Sequence, residues 1–446
     1  MRPRFRAPDR PPAPGAIRQG AAPAACPHHS GGVSNRMATR RELLQLIQNP
    51  NYASVLAALW RRPGLTRNDL SRETGLAIPT ISRIVGEMIS AGLVSADGEV
   101  ESKAGRPAGI VAIAPGNVYA AGIDLGGSKI AGILVDLAGE RKATASVPTG
   151  YPTREGLIAS MAAVFGRLLE SAGIAPDRVV GVGLGVPGTV DPRTRVLIDA
   201  TNLNIVDWNV EQDLAEHIGL PVIAENDANA AALGELYFGA PGAGADLVFV
   251  SVGTGIGAGL LLDGKVYRGP RGLAGEIGHI IVDPGGPPCS CGRRGCVEAY
   301  AGGWAVARAY AEAARRGGGA PGGKSPVTAE DVFHLAEAGD KVAAAILSKA
   351  SEVLGLALAN LINTLGVDRI VLGGGMIHGH ESFFEAVRST VLRHIIGEYQ
   401  GLVDVQSTSL GPWAGVYGAC ALVLQAAFQP GPAALRESRP RHLAER

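Results

Sequence analysis

Two glycine-rich segments with the same pattern, residues 122–139 and 250–264, constrain the fold more than any other feature of this sequence. Each segment predicts a strand, a glycine turn, a second strand and a further turn at Asp-Leu or Asp-Gly. Between residues 116 and 428, strand-like and helix-like segments alternate, which indicates a large α/β architecture. We therefore expect two related halves, each presenting one glycine hairpin to a cleft between them.

The length of 446 residues predicts about three domains. The longest apolar stretch, residues 247–262, is too short and too interrupted by glycine to span a bilayer, so no membrane partner is expected. Residues 1–36 are rich in Pro, Arg and Gly; they are expected to form a disordered extension and lack the apolar region of a signal peptide. Met37, beside the first helical pattern, is a candidate translation start, and residues 429–446 are expected to be a polar tail.

The net charge of zero conceals an asymmetry. Residues 1–106 hold 15 Lys and Arg against 8 Asp and Glu, whereas the rest of the chain holds 26 against 33. The two parts therefore carry +7 and −7. A basic N-terminal part on an acidic body favours contact between that end and a polyanion.

Residues 37–114 predict a winged helix-turn-helix domain that binds DNA. Thr66 and Asp69 have the spacing of a capping box, which opens a short helix that Gly75 ends. A second, amphipathic helix begins near Pro79. Two short helices joined by a tight turn are typical of DNA-binding modules, although a three-helix bundle without that activity has the same pattern.

The wing is predicted around Asp97-Gly98, between two apolar strand-like segments. The second helix would enter the major groove, where arginine pairs with guanine and hydroxyl groups contact phosphates or bases. An arginine within Gly-Arg-Pro suits a narrow minor groove. Ordinary solvated surface charges are the alternative interpretation. The candidate DNA contacts are Thr80, Ser82 and Arg83 on the second helix, Arg67 and Arg72 at backbone phosphates, and Arg106 in the minor groove.

Three of the five cysteines lie within eight positions, which predicts a metal site. Three thiolates and one imidazole form the closed tetrahedral site of a structural zinc ion. Clustered thiols that bind metal also favour a reducing, cytoplasmic location over disulfides. The alternative is three unrelated thiols and a core histidine. The predicted ligands are His279, Cys289, Cys291 and Cys296, whereas Cys26 and Cys420 have no motif around them.

Seven ordered motifs make residues 52–428 similar to the ROK family of repressors, open reading frames and sugar kinases, and to its regulators with an N-terminal winged helix. The motifs are IDLGGSKI at 123, GVPGTV at 185, ENDANAAALGE at 225, VSVGTGIGAG at 250, GEIGH at 275, CSCGRRGCVE at 289 and VLGGGMI at 371. The resemblance implies a two-lobed, actin-like and ribonuclease-H-like α/β ATPase fold of the sugar kinase type. Its lobes would span residues 116–235 and 236–428, the second with the zinc loop, and the last helix would pack back on the first lobe.

Glycine turns allow backbone N–H groups to approach phosphate oxygens, although a glycine turn can also be purely structural. The resemblance assigns such a role here and implies Mg-ATP as a possible cofactor, with Asp124 holding hydrated Mg²⁺. Ser128 stands where the kinases commonly have Thr. The implied nucleotide contacts are Asp124, Gly126, Gly127, Ser128, Lys129, Gly253, Thr254, Gly255, Gly373, Gly374 and Gly375.

The resemblance implies that Asp227 is the catalytic base, which accepts the proton of the attacking sugar hydroxyl. His279 would serve both sites, with one ring nitrogen on zinc and the other toward the sugar. The implied sugar contacts are Gly188, Thr201, Asn202, Asn226, Asp227, Glu276, His279 and Glu298.

The leading hypothesis is a cytoplasmic, sugar-responsive regulator of carbohydrate metabolism genes, more specifically a repressor. It would bind operator DNA as a homodimer or homotetramer. The alternative is an ATP-dependent hexose or N-acetylhexosamine kinase, similar to glucokinase, with an accessory DNA-binding module. One chain can combine both activities. A scaffold that only retains the fold would not require so complete a set of polar positions.

Overall fold

The computed structural model describes residues 40–62, 64–96, 99–100, 108–150, 153–200, 203–240, 246–316 and 327–428. All of them belong to the same structural unit. The predictions for residues 1–36, Met37, Asp97-Gly98, Arg106, Thr201, Asn202 and 429–446 lie outside the described residues.

The N-terminal region has the predicted helix-turn-helix. The capping box between Thr66 and Asp69 is confirmed, and Gly75 ends the helix in the left-handed conformation with a φ of 71°. Strand β4 pairs antiparallel with β1, β2 and β3, which places the wing strands beside the helices. The elements are α1 (Arg40–Leu46), α2 (Pro50–Arg61), β1 (Leu65–Thr66), α3 (Arg67–Thr74), α4 (Ile78–Ser90), β2 (Val94–Ser95), β3 (Glu99–Val100) and β4 (Ala108–Ile113).

The first lobe is built on a five-stranded sheet of order β12-β8-β5-β6-β7. Strands β5, β6 and β7 form an antiparallel meander, and β8 and β12 add in parallel. A smaller sheet, β9 to β11, lies beside it. The elements are β5 (Tyr119–Leu125), β6 (Lys129–Asp136), β7 (Arg141–Pro148), α5 (Arg154–Ala172), β8 (Val179–Val186), β9 (Thr189–Val190), β10 (Leu197–Ala200), β11 (Ile205–Trp208), α6 (Val210–Ile218), β12 (Val222–Asn226) and α7 (Asp227–Phe238).

The second lobe repeats this arrangement with a sheet of order β15-β14-β13-β16-β17. Counted along the chain within each lobe, both sheets have the strand order 5-4-1-2-3, which confirms the predicted internal repeat. The elements are β13 (Leu247–Val252), β14 (Ile256–Leu262), β15 (Lys265–Val266), α8 (Glu298–Ala301), α9 (Gly303–Arg316), α10 (Ala329–Glu337), α11 (Lys341–Leu365), β16 (Arg369–Gly373), α12 (Glu381–His394), β17 (Asp404–Ser407) and α13 (Ala414–Phe428).

The cores join regions that are distant in sequence. One apolar cluster combines residues of the winged-helix region, such as Leu56 and Ile84, with Val118 of the first lobe and Val423 of α13. Helix α13 packs on β5 and β8, so the last helix lies on the sheet of the first lobe. The winged-helix region and the first lobe therefore share one core.

Helices α11 and α13 are long and apolar enough to span a membrane by length and composition, the latter with its preceding turn from Gly411. More than half of the residues tested in each are buried inside the protein. Burial of this kind is typical of core helices in an α/β fold.

Candidate functional site

Two carboxylates lie at the carboxyl ends of two parallel strands of the first lobe, β5 and β12, which flank β8. Asp124 is the penultimate residue of β5, and Asp227 follows β12 directly. Burial raises the pKa of Asp124 to about 7, and the negative charge of Asp227 adds to this effect. Burial also raises the pKa of Asp227 to about 6, with a further contribution from the charge of Glu276. Three acidic groups from both lobes therefore face one another across the cleft.

Hydrogen bonds at the start of α7 fix the orientation of Asp227. The side chain of Asn226 caps the helix by accepting from the N–H groups of Ala228 and Asn229. Its amide nitrogen donates to Gly188 O at 3.0 Å and to Asp227 Oδ1 at 3.1 Å. Ala228 N–H also donates to Asp227 Oδ1, at 2.8 Å. One carboxylate oxygen of Asp227 is thus held, and the group is suited to accept a proton from a bound hydroxyl.

The sequence did not reveal an ion pair that joins the lobes beside this aspartate. Arg268, after β15, donates through Nε at 2.6 Å to Glu225 Oε2, and Glu225 is buried. The other oxygen of Glu225 accepts from Asn226 N–H and from the Asn229 side chain, both at 3.1 Å. Glu225 therefore connects the second lobe to the segment that carries Asn226 and Asp227.

The two glycine hairpins occur where the sequence places them. The first joins β5 to β6, with Gly127, Ser128 and Lys129 exposed. The second joins β13 to β14, and its Gly253 and Thr254 carbonyls accept from the N–H groups of Gly303 and Trp304. A Cβ on Gly374, whose φ is 95°, would lie 2.4 Å from Val252 O, so the triple-glycine turn after β16 packs against the second hairpin.

Of the predicted sugar contacts, Glu276 and His279 are close together, with 4.0 Å between Glu276 Oε2 and His279 Nε2. Glu298 is buried and already accepts three hydrogen bonds. They come from Ile256 N–H at 2.9 Å and from Ser290 Oγ and Trp304 Nε1, both at 3.2 Å. Glu298 thus links the second hairpin to the cysteine-rich loop, a contact that the sequence did not indicate.

The four predicted metal ligands converge on one point. Their donor atoms all lie within 4.8 Å of one another. Cys289 Sγ is 3.7 Å from His279 Nδ1, and Cys291 Sγ is 3.7 Å from Cys296 Sγ. Tetrahedral zinc with Zn–S bonds of about 2.3 Å separates its sulfur ligands by about 3.8 Å. The donor set and its spacing therefore fit a structural metal ion, and Nε2 of His279 stays directed toward Glu276.

The predicted DNA contacts differ in their surroundings. Ser82 and Arg83 are exposed on α4, and Thr80 is partly exposed. The Arg83 guanidinium donates to Glu87 Oε1 and to the Tyr52 hydroxyl, both at 2.8 Å. Arg72 is paired with Asp69. A contact between Arg83 and a base would have to compete with Glu87 and Tyr52, and the Tyr52 acceptor, which comes from another helix, was not evident from the sequence. Arg67 lies at the start of α3.

The fold and site define a class: a two-lobed α/β protein of the sugar kinase type, with a winged helix-turn-helix in front. Comparison with protein families agrees, since residues 120–426 match the ROK family and residues 54–95 match a winged helix-turn-helix DNA-binding family. The chain belongs to the ROK family, as its motifs predicted.

Known relatives divide between regulators and enzymes. A xylose repressor of Bacillus spizizenii is 29% identical over 383 residues, 85% of this chain and 96% of the repressor. A glucokinase of Halalkalibacterium halodurans is 33% identical over 311 residues, 68% of this chain and 94% of the enzyme. A solved ROK family transcriptional regulator, a homologue of the E. coli MLC protein, superposes with a TM-score of 0.72 and 26% identity over 86% of this chain and 97% of its own. The predicted fold class is confirmed.

Proposed function

We propose that this protein is a sugar-responsive transcriptional repressor that binds operator DNA through its winged helix. The carrying observation is that the alignment with a xylose repressor covers 85% of the chain, more than the ROK domain at residues 120–426 can account for by itself. The glucokinase alignment covers 68% of the chain. The basic N-terminal part, with its charge of +7, favours contact with phosphates.

The cleft between the lobes is the effector site in this proposal. Glu276, His279, Asn226 and Asp227 offer the carboxylate, imidazole and amide groups that recognise sugar hydroxyls. Polar groups that a bound sugar covers discriminate strongly, because a sugar without the matching hydroxyl leaves them unpaired. The names of the relatives make D-xylose and D-glucose the first sugars to test.

Zinc is the proposed occupant of the Cys3His cluster. Its part would be structural, since four protein ligands leave no open position for water. His279 would bind zinc through Nδ1, and zinc would thereby fix the ring whose Nε2 faces the sugar. A cytoplasmic location and a homodimer or homotetramer complete the proposal.

Sugar phosphorylation by ATP is a second candidate function, favoured by the Asp227 geometry. A carboxylate with a pKa of about 6 is suited to act as a general base near neutral pH. Asp124 would hold hydrated Mg²⁺, and the N–H groups of both hairpins would contact the phosphates. Magnesium, when bound with ATP, supplies charge neutralisation for phosphoryl transfer.

The first experiment selects DNA duplexes from a random library with the full-length protein. Binding of the selected duplex is then measured by fluorescence anisotropy, with and without D-xylose or D-glucose. We expect a selected sequence that binds at least about tenfold tighter than random DNA. We also expect its affinity to change with one of the two sugars. Equal affinity for all sequences would contradict the DNA-binding proposal.

The same protein is assayed for ADP release with Mg-ATP and each sugar, beside Asp227→Asn. Turnover that falls by a factor of about 10² to 10⁴ in the variant supports the kinase function. Turnover that Asp227→Asn retains would refute the base assignment. The variant should keep its sugar affinity within a few fold, because the amide preserves the shape of the side chain.

A further inference from the structure

Helices α7 and α13 lie side by side where the two lobes meet. Helix α7 packs on β13 and β14 of the second lobe, whereas α13 packs on β5 and β8 of the first lobe. The two helices pack closely against each other along their lengths. A movement of one lobe against the other would therefore act on this pair of helices.

The two helices run in the same direction, as three contacts along them show. A Cβ on Gly415 would lie 4.0 Å from Asp227 O, and one on Gly418 would lie 1.6 Å from Ala230 O. Further along, Gln425 Nε2 is 3.5 Å from the Tyr237 hydroxyl. At Gly418 the backbones touch, and no side chain fits between them.

Both helices begin at the two carboxylates of the cleft. Asp227 is the first residue of α7. At the start of α13, a Cβ on Gly415 would lie 3.7 Å from Asp124 Oδ1. A ligand that moves these carboxylates therefore acts on the first turns of both helices.

The far ends of both helices meet one side chain of the winged-helix region, Trp60 near the end of α2. Its ring stacks on Tyr237 of α7, with centroids 4.0 Å apart and planes at 16°. It also makes edge contacts with Phe238 of α7 at 6.2 Å and with Phe428 of α13 at 5.4 Å. Trp60 packs against both the core of the winged-helix region and the core between the lobes.

We propose that Trp60 is the positioning residue that transmits the state of the sugar cleft to the DNA-binding helices. The inference rests on the proposed function and names its route of regulation. Ten residues along α7 separate Asp227 at the cleft from Tyr237 against the ring, a length of about 15 Å at 1.5 Å per residue. When α7 shifts against α13, Tyr237 and Phe428 move apart or together, and the packed indole must follow. Since α2 belongs to the same core as α4, the recognition helix moves with it.

A second contact between the winged-helix region and the first lobe provides a matched control. The Asn117 side chain donates to Gly92 O, and Arg178 donates to the backbone carbonyls of Gly116 and Asn117. These bonds involve neither α7 nor α13. Asn117→Ala therefore weakens the attachment of the winged-helix region without touching the proposed route.

The test compares wild type, Trp60→Leu, Trp60→Phe and Asn117→Ala as full-length proteins. DNA affinity for the selected duplex is measured with and without saturating D-xylose or D-glucose. The wild-type ratio of the two affinities is expected in the range of about 5 to 150. In Trp60→Leu the ratio should approach 1, while the separate affinities for DNA and sugar change little. Trp60→Phe should restore part of the ratio, and Asn117→Ala should keep it.

Hydrogen exchange on DNA binding, without sugar, gives an independent reading, because coupling is reciprocal. In wild type, DNA should change amide exchange in residues 227–238 and 414–428, and in Trp60→Leu it should not. Three outcomes would each overturn the Trp60 proposal. Trp60→Leu could keep the wild-type ratio of DNA affinities with and without sugar, or Asn117→Ala could lose that ratio as fully as Trp60→Leu does. The third outcome is that DNA does not change amide exchange in the wild type. If DNA changes amide exchange in the wild type but neither sugar alters DNA affinity, the proposed response to these sugars is wrong. The proposed connection through Trp60 between the DNA-binding helices and α7 and α13 is then still supported.

Discussion

The two lobes have the same strand order but divide the chemistry of the site unequally. In the first lobe, Asp124 is the penultimate residue of β5, two residues before the glycine hairpin. Ser251 has the same place before the hairpin of the second lobe. The pKa of Asp124 is raised to about 7 by burial, so the first lobe holds a pH-sensitive carboxylate where the second holds a neutral hydroxyl.

The hairpins differ in how they are held. The first is supported from one side by Thr149, which donates through Oγ1 to Gly126 O at 2.7 Å. The second is held by Glu298 and by the start of α9, and Glu298 extends the connection to Ser290 in the cysteine-rich loop. The two lobes thus share a strand order but differ at their hairpins. The first lobe has the carboxylate of Asp124 before its hairpin, and the second lobe has the hairpin that is held by more hydrogen bonds.

Metal removal should have the largest effect and should act on the second hairpin. Structural zinc contributes about 10–16 kcal/mol to small zinc domains at neutral pH. Chelation, or Cys296→Ser, is expected to lower the melting temperature and to speed amide exchange at residues 253–256, because Ser290 loses its position. Exchange at residues 126–128 should stay unchanged. Cys26→Ser serves as the thiol control, and equal changes in both hairpins would remove the proposed asymmetry.

Glu298→Ala should come next in size. The substitution leaves the N–H donors of Ile256 and Trp304 without their acceptor, and each unpaired buried donor costs about 1–3 kcal/mol. The free energy of unfolding should fall by about 3 kcal/mol, measured by urea denaturation. Glu298→Gln keeps one acceptor oxygen and should lose less. If Glu298→Ala unfolds at the same urea concentration as the wild type, the second hairpin does not depend on this carboxylate.

Asp124→Asn tests the charge difference between the lobes through pH. The pKa of Asp124 is raised from 3.8 to about 7 in the fold, so the folded state binds the proton more tightly than the unfolded chain. Wild-type stability therefore falls as pH rises through this window. The variant lacks this loss, so its melting temperature without ligand should exceed that of wild type at pH 8 and match it near pH 4. Asp177→Asn, at an exposed position, is the control. An advantage that is independent of pH would contradict the assignment.

Thr149→Val should have the smallest effect. It removes one hydroxyl hydrogen bond at the first hairpin while preserving shape, which costs about 1 kcal/mol. The Thr149 N–H still donates to Ser128 O at 3.1 Å. Urea denaturation beside Glu298→Ala gives the direct comparison. If Thr149→Val is the more destabilising of the two, the first hairpin is the more firmly held.

The sequence predicted the features that local chemistry determines. The capping box at Thr66, the two glycine hairpins and the cluster of candidate metal ligands each depend on residues close in the chain, so their patterns can be recognised in the sequence. The bridge from Arg268 to Glu225 crosses between lobes, and Trp60 meets Tyr237 far along the chain. Such contacts depend on how whole elements pack, and no local periodicity encodes them.

The pairing of Arg83 shows an intermediate case. Glu87 lies four residues later on the same helix, a spacing that favours an ion pair. The Tyr52 hydroxyl, which completes the arrangement, comes from another helix, so the spacing in the sequence does not indicate this second partner of Arg83. The sequence identifies an exposed arginine on this helix, but its contact with Tyr52 depends on the packing of α2 against α4.

The cysteine-rich loop also bears on the order in which the chain acquires structure. All four ligands lie between His279 and Cys296, so their loop closes at little entropic cost. Strand β13, in contrast, needs β16 at residues 369–373 as its parallel neighbour. During synthesis the ribosome releases the complete ligand set well before β16. With the proposed metal bound, the cysteine-rich loop can therefore form before the later strands of the second sheet have been synthesised.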